Sequence, residues 1–265
     1  MDTSVFLEDM DAFAYREALA SGDAMVLIPV GSLEQHGPHL PLGTDTILSS
    51  RFAEGIARSL GAMVAQPIAY GYKSQQKSGG GNHLSGTTSL DGASLIAMTR
   101  NLVKSFLNQG VRDIVLINGH FENYQFLYEG IDLALEELGI ESGAAQSVLL
   151  LSYWDFVSQD TLARVYPAGF PGWDIEHGGV LETSLMLHLE PARVALDRLV
   201  DGPAAVLPRF DRLPVVPERT PSTGCLSSAA GSSPAKGELL YDQVVADLSL
   251  DLSRELAREP AVASV

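Results

Sequence analysis

Ala24-Met-Val-Leu-Ile-Pro-Val30 carries no polar side chain, and it runs straight into Gly31-Ser-Leu-Glu34-Gln35-His36. An unbroken apolar run of this length reads as a strand buried on both faces, the kind a parallel sheet uses. Ile114-Val-Leu-Ile117 repeats the pattern and leads into Asn118-Gly-His120-Phe121-Glu122. Each strand therefore ends in an acid and an imidazole two residues apart. In an extended segment such residues point to the same side.

Working outward, apolar periodicity and stop signals predict helices over 9–20, 46–60, 91–109, 123–138, 178–189 and 239–257. Short strands are predicted over 62–65 and 148–151. The segment 69–90 is irregular and rich in Gly, Ser and Gln, a length of loop that tends to be functional. The Pro-rich stretch 191–233 carries no clear assignment. Strands alternating with helices argue for an α/β layered fold with a mostly parallel central sheet. Ligands bind such sheets beyond the carboxyl ends of the strands, where both acid–imidazole pairs fall.

The chain has 265 residues, 46% of them hydrophobic, which suits one domain over 1–265 with a substantial core. A formal net charge of −16 argues against a nucleic-acid partner, since phosphate binding needs a basic footprint. No stretch approaches the roughly 18 apolar residues of a membrane helix, so no membrane partner is expected. The start Met1-Asp-Thr-Ser4 lacks the features of a secretory signal. The single cysteine, Cys225, permits no internal disulfide and lacks a nearby partner, and cytoplasm is the expected compartment.

With Asp45 in Leu42-Gly-Thr-Asp45-Thr46, the two pairs offer five side chains suited to two divalent metals. Carboxylate and imidazole donors fit Zn, Mn or Co. A dinuclear centre polarises a carbonyl and lowers the pKa of bound water from about 15.7 to about 7, which is hydrolase chemistry. Each residue also has a plainer reading. Glu34 could be a solvated loop acid, His36 and His120 turn residues, Asp45 an N-cap and Glu122 a first-turn helix acid. Asp174-Ile-Glu176-His177-Gly-Gly179 forms a second cluster. There His177 is a candidate proton shuttle, and a dipole-favouring helix start is the alternative. Trp154 and Trp173, the only tryptophans, could enclose a flat polar ligand or simply be buried. His83 and His188 read as structural. The chain contains no His-Glu-x-x-His, Gly-x-Ser-x-Gly or Walker loop.

Several segments together resemble the creatininase family. They are Gly31 to Gly37, Tyr70 to His83, Gly86 to Gly92, Asn118-Gly-His120 with Glu122-Asn123, Ser152 to Phe156, and Gly172 to Val180 with Glu182 to Met186. The resemblance covers nearly the whole chain. It implies a three-layer α/β/α sandwich, and a dinuclear zinc or manganese amidohydrolase that reversibly opens the cyclic amide of creatinine to give creatine. Glu34, Asp45 and His120 would bind one metal. His36, Asp45 and Glu122 would bind the other, with Asp45 bridging. Glu122, Glu176 and His177 would carry protons, and Ser78, Phe121, Trp154 and Trp173 would contact substrate. A homohexamer is implied as well. Phe121 stands where the family's creatinine-cleaving sequences have tyrosine, and Pro38 to Asp45 follows the broader family. These departures leave room for another small amide, such as a formamide or a different cyclic amide. A metal-stabilised binding protein without catalysis is the remaining alternative.

Overall fold

Met25 to Val30 form strand β1, buried along its whole length, and its side chains divide by parity. Met25 and Leu27 enter one apolar cluster, while Val26, Ile28 and Val30 enter another on the opposite face. That alternation is the pleat of a strand covered on both sides. The computed structural model describes residues 4–257. Within it β1 is joined by β2 (Met63–Val64), β3 (Asp113–Asn118) and β4 (Ser147–Ser152) in an all-parallel sheet of order β2-β1-β3-β4. The register of β1 on β3 runs from Met25↔Asp113 to Val30↔Asn118, so the two acid–imidazole loops leave the sheet side by side.

The helices are α1 (Ala12–Ala20), α2 (Thr44–Leu60), α3 (Gly92–Asn108), α4 (Tyr124–Leu138), α5 (Gln159–Val165), α6 (Val180–Leu189) and α7 (Pro234–Glu255). Leu48, Phe52 and Ile56 of α2 pack with Leu162 of α5, Leu185 of α6 and Val244 of α7 on one face. Leu95 and Val103 of α3 and Leu127 and Ile131 of α4 cover the other. This is the expected α/β/α sandwich. The chain leaves β1 toward β2 on one side and leaves β3 toward β4 on the other. The topological switch point therefore lies between β1 and β3, where open α/β sheets hold their ligands.

Some boundaries differ from expectation. Helix α2 begins at Thr44 with Gly43 at the N-cap, so Asp45 lies buried in the first turn and does not cap the helix. Helix α7 starts at Pro234, earlier than 239. Ser233 accepts a hydrogen bond from the Lys236 amide, and Pro234 presets the first turn. Helix α5 was not anticipated, though Ser158 caps it by accepting from the Thr161 amide. Residues 121–123 form a 3-10 turn ahead of α4. Among the described residues, no helix is long and apolar enough to cross a membrane.

Candidate metal centre

The centre assembles because three segments meet beyond β1 and β3. Gly119 lets the β3 loop approach the N-terminus of α2: a Cβ there would sit 2.7 Å from the Asp45 carbonyl oxygen. Asn123 ties the pieces together. Its amide nitrogen donates to the Gly31 carbonyl at 3.0 Å, and its side-chain oxygen accepts from the Tyr72 amide at 2.7 Å. Nothing local in the sequence by itself assigns Asn123 this role. Its position one residue after Glu122, with a side chain able to both donate and accept, was the available signal.

Glu34, His36, Asp45 and His120 are all buried. His36 Nδ1 lies 3.2 Å from the Glu34 carbonyl oxygen, so Nδ1 carries the proton and donates, leaving the lone pair on Nε2. His120 Nε2 donates to the Tyr72 carbonyl at 3.0 Å, leaving the lone pair on Nδ1. Both bare nitrogens face acids. His36 Nε2 is 2.8 Å from Asp45 Oδ1 and 3.5 Å from Glu182 Oε1. His120 Nδ1 is 3.1 Å from Glu34 Oε1 and 3.2 Å from Asp45 Oδ2. Asp45 thus addresses a different histidine with each oxygen.

Among the described residues the donor atoms form three groups compact enough for an ion: Glu34, Asp45 and His120; His36, Asp45 and Glu182; and Glu34, His36 and His177. Glu182, in the first turn of α6, stands beside His36, where the resemblance implies Glu122. Glu122 sits on the far side of His120, with Oε2 3.3 Å from Nε2. Its Oε1 accepts from the Gln75 amide at 2.8 Å and the Ser78 hydroxyl at 2.6 Å. The sequence did contain Glu182, in Gly-Gly-Val-Leu-Glu, but nothing local linked it to His36.

The residues fit divalent ions. Glu34 Oε2, His36 Nε2 and Asp45 Oδ2 are buried without a hydrogen-bond partner. Glu34, Asp45, Glu122 and Glu182 converge on a cleft whose lining contains no lysine or arginine. Buried carboxylates need a positive partner, and a metal supplies one. Burial opposes ionisation of Glu34 and Asp45, yet the histidines outweigh it and hold both below the usual carboxylate range. Burial likewise opposes protonation of His36 and His120, but the surrounding carboxylates push both well upward, so without an ion a proton occupies each otherwise bare nitrogen and a metal would take its place. Burial raises the Glu176 carboxyl to about 7, assisted by the neighbouring charge of Glu182.

The cleft brings together all the sequence-predicted residues. Ser78, Phe121, Trp154, Trp173, Glu176 and His177 line it with the metal-binding side chains. Phe121 is 58% exposed at the surface. His177 Nε2 donates to the Gln35 carbonyl at 2.7 Å, and Nδ1 lies 3.7 Å from Glu34 Oε1. Tyr153 and Asp174 also line the cleft, though neither was singled out by itself. The unassigned Pro-rich stretch returns across the site. The Thr220 hydroxyl donates to the Gly80 carbonyl at 2.7 Å, the Gln35 amide donates to the Thr223 carbonyl, and Leu226 N donates to the His177 carbonyl at 3.0 Å.

The creatininase family model, described as creatinine amidohydrolase, matches residues 8–251. The chain belongs to the creatininase family. It is 48% identical to the creatinine amidohydrolase of Pseudomonas putida, over 96% of this chain and 98% of that protein. A solved manganese creatininase superposes with a TM-score of 0.93 at 47% identity, covering 96% of this chain and 99% of the other. A mutant creatininase complexed with creatine superposes at 0.92 with 46% identity and the same coverage. This creatininase-family chain carries side chains suited to divalent metal at the switch point of its sheet.

Proposed function

We propose that the chain hydrolyses the cyclic amide of creatinine to creatine, reversibly, at a centre of two divalent ions. The observation that carries the reading is Asp45, whose Oδ1 and Oδ2 face His36 and His120 respectively. Glu34, Asp45 and His120 would hold one ion. His36 and Asp45 would hold the other, with a carboxylate from Glu182 or Glu122. The similar manganese creatininase supports manganese, and the nitrogen and oxygen donors suit zinc equally. Bound there, the ions would activate water and polarise the amide carbonyl.

The protein's own groups do the rest. His177 keeps its Nε2 proton on Gln35, so Nδ1 is the nitrogen free to carry a proton to the leaving ring nitrogen. Glu122 is held by Ser78 and the Gln75 amide, where it orients the reacting groups and shares in proton transfer. Trp154, Trp173 and Phe121 would wall the flat substrate and exclude water. The whole chain acts as one domain in this reading. A homohexamer, drawn from the family, is part of the same reading. Creatine formation from creatinine by metal-loaded protein, lost on chelation and restored by zinc or manganese, is the expected result. Absence of turnover in both directions would overturn the substrate assignment.

A second reading keeps the chemistry and changes the amide. Phe121 places a bare ring at the cleft, with no hydroxyl to hydrogen-bond substrate. A panel of N-formyl amines and cyclic amides decides between the two, and a preference for creatinine throughout dismisses the second.

A further inference from the structure

Glu176 lines the cleft, but both of its oxygens are already engaged. Oε1 accepts from the Leu181 amide at 2.8 Å and the Glu182 amide at 3.4 Å, in the first turn of α6. Oε2 accepts from the Ser227 hydroxyl at 3.1 Å, on the segment that crosses the site. The Tyr166 hydroxyl bonds the same carboxylate while accepting from Leu181 N at 2.9 Å. A carboxylate held by free amides at a helix start is a strong anchor. The turn it anchors carries Glu182. Glu182 Oε2 accepts from the Gly178 amide at 2.6 Å, and Oε1 lies 3.5 Å from His36 Nε2.

We propose that Glu176 is a positioning residue: it clamps the start of α6 to Ser227 and so holds Glu182 against His36 and Asp45. It does not itself carry the substrate's proton. That task stays with His177 and Glu122. The proposal rests on the reading that His36, Asp45 and Glu182 share an ion, and it deepens that reading by separating the support of the centre from its chemistry. Ser227 then belongs to the same support, which gives the Pro-rich stretch a part in metal binding that its sequence does not suggest.

The test compares the wild-type holoenzyme with Glu176→Gln, Glu176→Ala and Ser227→Ala. Zinc and manganese affinity are read by titration and elemental analysis, and creatinine kinetics across pH. A glutamine can accept from the helix amides and donate to Ser227. E176Q is therefore expected to keep the wild-type metal complement, the same pH profile, and kcat within about threefold, whereas a lost general acid or base costs about 10²–10⁴. E176A should weaken metal binding by about 10–100-fold, with turnover recovering as metal is added. S227A should shift metal affinity the same way by a smaller factor. A hundredfold or greater loss of kcat in fully metallated E176Q, with one limb of its pH profile missing, would overturn the proposal. So would wild-type metal affinity in E176A. If E176A does not fold, E176Q and S227A still decide. If the wild type does not turn over creatinine, the substrate assignment fails, and the metal titrations alone judge Glu176.

Discussion

Asp45 presents one oxygen to each of two histidines, so its removal should empty both halves of the centre. Asp45→Ala is expected to lose the whole metal complement by elemental analysis, and full retention would refute the bridging role. His177 makes a different prediction. Its Nε2 is committed to Gln35 and its Nδ1 faces the cleft. His177→Asn should therefore keep its metals but lose about 10²–10⁴ in kcat. Metal loss in that variant would instead make His177 a ligand, consistent with its place in a third compact group with Glu34 and His36. Burial pushes the Cys225 thiol up to about 12, far from the range of a nucleophile. Its sulfur fills the space beside Gly37, where an added Cβ would collide with it.

Among the elements, α6 and α7 decide how well the site is held, because α6 carries Glu182 and α7 backs it. They meet at Gly237, where an added Cβ would collide with the Ser184 carbonyl. A backbone oxygen cannot swing away as a side chain can. Gly237→Ala is thus expected to lower stability by about 1–3 kcal/mol in denaturant unfolding, as overpacked contacts do. An unchanged midpoint would mean that the two helices can slide apart freely. The loop from Tyr72 to Gly81 is held from three sides, by Asn123, by Glu122 and by Thr220. This explains how so long an irregular segment can still place Ser78 at the cleft.

At the scale of the whole molecule, pH and metal set stability. Asp11 and Asp91 accept backbone hydrogen bonds at the starts of α1 and α3, which holds each carboxyl below its ordinary 3.8. A lowered folded pKa means that the unfolded chain binds protons first. The stabilisation is present above the unfolded value and is lost as pH falls through the folded one. The melting temperature should therefore decline on acidification through and below the ordinary carboxylate range. For each of Asp11→Asn and Asp91→Asn the decline should be shallower, and an unchanged pH slope would show that the caps contribute nothing. Chelation is expected to lower the melting temperature as well, because ions that bind only the folded state add about 2.7 kcal/mol at a hundred times their Kd. Equal melting with and without metal would argue against a tightly bound centre.

The strands, most of the helices and the site's location were legible in the sequence because their signals are local. A buried parallel strand reads as an apolar run, and an acid and an imidazole two apart at its end need no distant information to share a face. Ligand candidates at the ends of β1 and β3 followed from those segments alone, and family resemblance supplied Asp45 as a bridge. The tertiary structure decided what depends on contacts far along the chain. It set Asp45 inside the first turn of α2 and Glu182 beside His36. It fixed which nitrogen of each histidine is bare, and it brought Thr220, Thr223 and Ser227 back over the site. None of these has a periodic signal, because each is settled by where α6 and the Pro-rich stretch pack against the sheet, and that packing belongs to the assembled core.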